Sequence, residues 1–392
     1  MLPLHLPPPI RTSDPDSFAR QTVQDRLPKI IDSILAQNNY PVSIRNDLLS
    51  LKAELNLPVP LTPLANSQPE YLSWNTHLAE FPGRGWLDLP FYFAEAFFYQ
   101  RLLDAVNYFV PGPWQGADPF QNAKDVQLQK DIHHFERALN RLVSQPAEAQ
   151  CESLLHDCLW GNQVDLSNFF GDFQDPLHQA DRSDRPIINH AKKITDFFSR
   201  GVPKLAYILD NVGIELYFDL GLIDFLLAHN WVQQVTIHLK NYPFFVSDAM
   251  PKDILASVRL LKDSSSLPAA QVSQRLEKSI FSGQIQLNSD PLWTSSLTYL
   301  EVPVEIERAL ANPDLAIFKG DLNYRRLLGD YQWDFTTRLE DILNYLHIPV
   351  AVMRTLKSQI AASLSSDQLT RLNATDPQWV INGRRGIIQL IS

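Results

Sequence analysis

The sequence predicts an α/β fold: a three-layer α/β/α, doubly wound, mostly parallel sheet with a helical N-terminal region. Three observations predict it. Short apolar runs in the second half of the chain, such as Leu205-Ala206-Tyr207-Ile208-Leu209, are bounded by polar residues, as in strands buried on both faces. Segments with apolar residues at three- and four-residue spacing separate these runs, so strand and helix alternate. The first half shows helical spacing broken by Pro-rich stretches.

A chain of 392 residues accommodates two domains, or one large α/β domain with an appendage. With 45% hydrophobic and 20% charged residues it buries a sizeable core and does not read as disordered. A formal charge of −10 argues against a general nucleic-acid binder, which needs a basic surface. It is compatible with a small phosphorylated ligand, because a few local cations and a metal reverse the field inside a pocket. Cys151 and Cys158 are the two cysteines; two helical turns apart, roughly 10 Å along an axis, they are too far for a disulfide and match no zinc spacing. Met1 to Pro9 lacks the basic and apolar regions of a signal peptide, and no apolar run reaches the ~18 residues of a membrane span. A cytoplasmic protein is expected.

In chain order, helices are predicted over Asp16–Gln37, Ile44–Leu55, Phe91–Phe109 and Lys124–Val143, with Leu57–Pro69 a proline-rich loop and Asp172–Arg185 a polar break. Strands follow at Lys204–Leu209, Val232–Leu239, Leu315–Phe318 and Val350–Met353. Between them lie helices at Glu215–Leu227, Lys252–Leu261, Ala269–Phe281 and Glu305–Leu310, and Trp379 to Ile388 reads as a hairpin on the sheet edge. The expected division is a helical region over residues 1–186, covering the crevice, and a catalytic α/β/α domain over 187–392.

Each strand ends in polar residues, and in a doubly wound sheet those ends face one crevice. The first gives Asp210-Asn211-Val212-Gly213-Ile214-Glu215. A carboxylate beside a carboxamide supplies hard oxygen ligands for a Mg²⁺- or Mn²⁺-type ion, or else forms an Asx turn that caps the next helix. Glu215, one turn on, either stabilises the helix dipole or reaches such an ion through water. The second strand leads through His238-Leu239-Lys240 to Asp248, a ligand or an ordinary loop residue. The third gives Lys319-Gly320-Asp321-Leu322-Asn323-Tyr324-Arg325, where the glycine lets backbone amides approach an anion at a helix N-terminus. Its alternative is a left-handed turn with an Asp cap. The fourth gives Arg354 and Lys357, cations for an anion or for local carboxylates. No Gly-x-Ser-x-Gly elbow or Walker A motif is present, and His133-His134 read as solvated.

Together with Phe245-Val246-Ser247-Asp248, Arg354-Thr355-x-Lys357, Phe93-Ala94-Glu95 and Leu159-Trp160-Gly161-Asn162, these motifs resemble the DUF89 family of metal-dependent damage-control phosphatases, in its ARMT1-like branch (subfamily III). The resemblance runs from about Leu51 to Ile388; Phe244 stands where relatives often have Trp. It implies a divalent metal (Mn²⁺, Mg²⁺, Co²⁺ or Ni²⁺) on Asp210, Asn211 and Asp248. It further implies contacts to a small phosphorylated metabolite from Lys319, Gly320, Asp321, Leu322, Asn323 and Lys357. Glu95 and Asn162 are expected at the pocket edge or in the core. The reaction implied is phosphomonoester hydrolysis, with fructose 1-phosphate and fructose 6-phosphate the model class. In it Asp210 serves the metal, Asp321 transfers a proton or attacks phosphorus, and Glu215 orients a water. Two alternatives stand beside it: an S-adenosylmethionine-dependent carboxyl methyltransferase, although Asp210-Asn211-Val212-Gly213 offers one glycine to a nucleotide, and a non-catalytic metabolite-binding protein.

Overall fold

The computed structural model of the protein describes residues 5–64, 69–161 and 186–392. In the first half, α1 (Phe18–Gln21) passes through one wide π turn (Thr22–Arg26) into α2 (Leu27–Gln37). Helices α3 (Val42–Glu54), α4 (Pro69–Leu78), α5 (Phe91–Ala105), α6 (Gln121–Leu142) and α7 (Ala147–Gly161) follow. The second half opens with β1 (Pro186–Asn189), α8 (Ala191–Phe198), β2 (Val202–Ile208), α9 (Ile214–Ala228) and β3 (Val232–His238). Next come α10 (Pro251–Lys262), α11 (Leu267–Phe281), β4 (Ile285–Asn288), α12 (Pro303–Leu310), β5 (Leu315–Lys319) and α13 (Gly320–Leu327). The chain closes with α14 (Leu339–Ile342), β6 (Val350–Thr355), α15 (Ser366–Thr375) and β7 (Gly386–Ile391).

The strands form one seven-stranded sheet in the order β1-β7-β6-β5-β2-β3-β4. Strands β2 to β6 are mutually parallel, while β7 runs antiparallel to β6 and parallel to β1. From β2 the chain winds outward through β3 and β4, then returns to lay β5 and β6 on the other flank. The order therefore reverses between β2 and β5, and a sheet of this kind receives ligands beyond the C-terminal ends at such a reversal.

The α/β class and the four central strands stand where the apolar runs placed them. Two edge strands, β1 and β4, were not predicted. Each spans four residues and buries only its first fully, so neither carries an apolar run. The predicted C-terminal hairpin does not form. Only Gly386–Ile391 is a strand, and it lies inside the sheet between β6 and β1. Trp379 turns instead into a small cluster with Leu356, Ala361, Leu364 and Leu372.

Helix α9 is buried on every face, because it lies between the sheet and helices α6 and α7. Its Gly221 makes this possible: a Cβ there would stand 2.7 Å from Phe135 Cε2 of α6. One apolar cluster joins Leu128 and Phe135, Leu154 and Cys158, and the β2 and β3 residues Leu205, Tyr207, Val235 and Ile237. On the other sheet face, Ile208 and Phe318 pack with Trp293, Tyr299 and Tyr324. A third cluster holds Trp74, Trp86, Phe93 and Phe97 against Phe244 and Leu322, which seats the N-terminal helices on the loop after β3 and on α13. Among the described residues, no helix is long and apolar enough to cross a membrane.

His238, the last residue of β3, is buried with its ring 4.8 Å from that of Trp293, and neither ring nitrogen finds a hydrogen-bond partner among the described residues. Burial pushes its pKa down from 6.5 to about 4. The unfolded chain therefore takes up a proton before the folded one does. Its contribution is complete above the unfolded pKa and is lost as the pH falls towards the folded one, about 3 kcal/mol at most. His238→Phe should remove this loss. Urea midpoints at about pH 7 and about pH 4.5 should shift in favour of the variant by about 2 kcal/mol on acidification; parallel curves for the two proteins would contradict the assignment.

Candidate metal and phosphate site

The site begins where the loops after β2 and β3 are sewn together. Val212 N donates to Ser247 O at 2.7 Å, Ala249 N to Asp210 O at 2.8 Å, and Lys240 N to Ala249 O at 3.0 Å. Asn211 and Asp248 thus face each other in an antiparallel bridge. Asp210, Asn211 and Asp248, distant in sequence, are brought together and are each at most 5% exposed. The helix-capping alternative for Asp210 and Asn211 is excluded by what occupies that position. The N-cap of α9 is Gly213, at φ 107°, and Ile214 N donates to Asp131 Oδ2 of α6 at 2.8 Å. A carboxylate from another helix caps α9, which leaves the two β2-end side chains turned elsewhere.

Those side chains form a continuous polar chain. Asn211 Nδ2 donates to Asp210 Oδ2 at 2.7 Å and to Glu215 Oε2 at 3.1 Å, and Ser247 Oγ donates to Asn211 Oδ1 at 2.6 Å. Glu215 Oε1 in turn accepts from Lys319 Nζ at 2.7 Å. Lys319 also donates to Cys158 O at 3.1 Å and meets Asp219 Oδ1 at 2.9 Å. Tyr207 Oη donates to Asp219 Oδ1 at 2.7 Å. Burial opposes the Lys319 charge, but Asp219 and Glu215 together outweigh it and hold its pKa above the ordinary lysine value. Burial lifts the Asp219 carboxyl to about 6 in spite of Lys319.

Gly320 is the point of closest approach between the two halves of the site. Its φ is 81°, and a Cβ there would stand 1.8 Å from Asp210 Oδ2. Only glycine admits the carboxylate and tolerates this backbone. The start of α13, with its unpaired first-turn amides, therefore lies beside Asp210. Lys319, as the N-cap, makes no side-chain bond to those amides, because its ammonium is, like them, a donor; it is engaged below.

The remaining predicted residues are placed as follows. Asp321 Oδ1 meets Arg354 Nη2 at 2.6 Å, Ser358 Oγ at 3.1 Å and Lys357 N at 3.3 Å, so it anchors the loop after β6. Arg354 is fully buried, lies 4.4 Å from the Tyr324 ring and donates to Ile360 O at 2.9 Å; it pairs with a local carboxylate. Asn323 accepts from Tyr299 Oη at 2.8 Å and donates to Leu209 O and Lys319 O at 3.0 and 2.8 Å, tying β2 to β5. The Leu322 side chain lies in the apolar cluster under the N-terminal helices, so a ligand can meet only its main chain. Lys357 is half-buried. Glu95 is buried, meeting Arg325 Nη1 at 2.6 Å and Arg26 Nη1 at 3.4 Å. Asn162 and the Asp172–Arg185 stretch lie outside the described residues.

Two carboxylates and one carboxamide from adjoining loops form the donor set. Among the described residues, no group of three or more His, Cys, Asp or Glu side chains could hold a metal ion on its own. An all-oxygen set that includes a carboxamide suits a hard divalent ion.

Residues 21–372 match the model of the damage-control phosphatase ARMT1-like domain. The chain belongs to that family. Proteins named damage-control phosphatase ARMT1 from Xenopus laevis and Mus musculus are 26% and 27% identical to it, and the matches cover 95–97% of this chain and 96–97% of theirs. A DUF89 family protein of known crystal structure from Pyrococcus horikoshii shares the fold with a TM-score of 0.50 at 15% identity, over 94% of this chain and 96% of its own.

Within this ARMT1-like frame, residues the motifs did not single out complete the site. Asp219 lies one helical turn beyond Glu215 on the same face of α9, a spacing visible in the sequence. Lys240 closes the second strand end and stands 3.4 Å from Asp248 Oδ2. The cap from Asp131, 83 residues away from Ile214, has no local signal. Gly320→Ala tests the geometry. With no room for a methyl group beside Asp210, it should cost about 3 kcal/mol or more in a denaturant titration, since overpacking and left-handed strain add. A loss below about 0.5 kcal/mol would contradict the close approach.

Proposed function

We propose that this chain is a divalent-metal-dependent phosphatase that hydrolyses small phosphometabolites, sugar phosphates of the fructose 1-phosphate or fructose 6-phosphate class among them, in metabolite damage control. The observation that carries the proposal is the meeting of Asp210, Asn211 and Asp248 at the sheet's topological reversal, in a chain of the ARMT1-like family. Those three residues would hold the ion, with Mn²⁺, Mg²⁺, Co²⁺ and Ni²⁺ as the candidates. When bound, a divalent ion supplies electrophilic polarisation of the phosphoryl group and activation of water.

The chain's own residues do the rest. Glu215 fixes the Asn211 carboxamide through its 3.1 Å contact. Lys319 balances Glu215 and Asp219 beneath the site, so that two further carboxylates can stay close to Asp210. Amides of the first turn of α13, at Gly320, Asp321 and Leu322, form hydrogen bonds to phosphoryl oxygens, aided by the helix dipole. Lys357 contributes charge at the rim. We assign Asp321 to holding the Lys357 loop through Arg354 and Ser358, in place of the proton transfer considered from the sequence. Residues 187–392 carry the chemistry and 1–186 cover it, with α6 and α7 packed into the same core as the sheet. The two buried free thiols, Cys151 and Cys158, fit a reducing cytoplasm.

Chelator-stripped protein should release phosphate from sugar phosphates or para-nitrophenyl phosphate only when a divalent metal is restored. Asp210→Ala and Asp248→Ala, each folded by circular dichroism, should lower kcat/KM at least about a hundredfold, more than the loss of an outer-shell partner. Full metal-dependent turnover in either variant would refute the ligand assignment.

A further inference from the structure

We propose that Lys240 is the side chain that meets the substrate's phosphoryl group, an assignment that rests on the phosphatase reading above. The other cations deep in the crevice are committed. Lys319 spends its three protons on Cys158 O, Glu215 and Asp219. Arg354 is held by Asp321 and Ile360 O, and Arg325 by Asp330 at 2.8 Å and Glu95 at 2.6 Å. Arg326 donates to the carbonyls of Leu292, Trp293 and Leu297. Pulling any of these towards a ligand would leave a buried acceptor unpaired, at a cost a weak substrate contact does not recover.

Lys240 differs in both number and kind of partners. It is 2% exposed, with its ammonium 3.4 Å from Asp248 Oδ2 and 5.7 Å from the centre of the Phe244 ring. An ammonium carries three donors, and one long contact plus a ring face leaves donors for a further acceptor. Its carboxylate partner is also a residue assigned to the metal. A divalent cation on Asp248 takes over the charge that Lys240 was balancing and repels the ammonium. Lys240 then stands as an uncompensated buried cation beside the metal ligands, and an anionic phosphoryl oxygen is the group that restores the balance. A lysine that served only to neutralise Asp248 would work against metal binding. Lys240 therefore adds to the coupling of metal and phosphate: each makes the other's binding more favourable.

The test uses the full-length protein, Mn²⁺ and inorganic phosphate, followed by calorimetry, with fructose 6-phosphate turnover alongside. In wild type, Mn²⁺ should bind more tightly in the presence of phosphate. Lys240→Met should bind Mn²⁺ alone at least as well as wild type, yet bind phosphate about tenfold to a hundredfold more weakly, as expected for loss of a charge-assisted hydrogen bond. The Mn²⁺–phosphate coupling should weaken with it, and Lys240→Arg should restore part of both. Where methionine disturbs packing, Lys240→Gln makes the same comparison. A folded variant that binds phosphate like wild type, or that loses phosphate only because it has lost Mn²⁺, would overturn the assignment. Wild-type protein that binds Mn²⁺ but no phosphate would instead refute the phosphatase reading, and Lys240's role with it.

Discussion

The site depends on one steric fact: the Asp210 carboxylate lies where the side chain of residue 320 would be. Because residue 320 is glycine, held at φ 81°, the end of β2 and the start of α13 can meet across the place where the strand order reverses. That contact sets a negatively charged group against the positively polarised end of a helix. It also fixes the distance between the part of the site that suits a metal and the part that suits an anion.

Around this contact the charges are arranged in layers. Beneath the crevice, Glu215, Asp219, Lys319, Tyr207 and the Cys158 carbonyl form one connected set, joined to Asp210 through Asn211. At its side, Asp321 and Arg354 tie the β6 loop to α13. Farther out, Glu95, Arg325 and Arg26 link the N-terminal helices to the same helix α13. Removing one partner from such a set leaves a buried charge exposed to a low-dielectric interior, so these residues hold the geometry and have little freedom to follow a ligand. Lys240, with its single 3.4 Å contact to Asp248, and the start of α13 stand outside these sets.

Much of the fold was legible because the central strands are buried on both faces and so appear as unbroken apolar runs. The edge strands β1 and β4, half exposed and four residues long, leave no such trace. That Asp210, Asn211 and Asp248 meet was legible in kind, since the sheet topology says where strand ends converge. What the sequence could not show was how each charge is spent. Lys319 and Arg354 read as anion-binding residues from their positions, yet three-dimensional packing gives them carboxylate partners, Glu215 and Asp219 in one case and Asp321 in the other. Asp131 caps α9 from a helix far away in the chain, and that distant cap settles the question that Asp210 and Asn211 left open locally.

The most direct measurement is a crystal structure grown with Mn²⁺ and examined for its anomalous signal. The account predicts one ordered ion contacted by oxygens of Asp210, Asn211 and Asp248, with Gly320 and the first turn of α13 facing its open side. An ion bound elsewhere, with these three side chains still hydrogen-bonded only to one another, would contradict it.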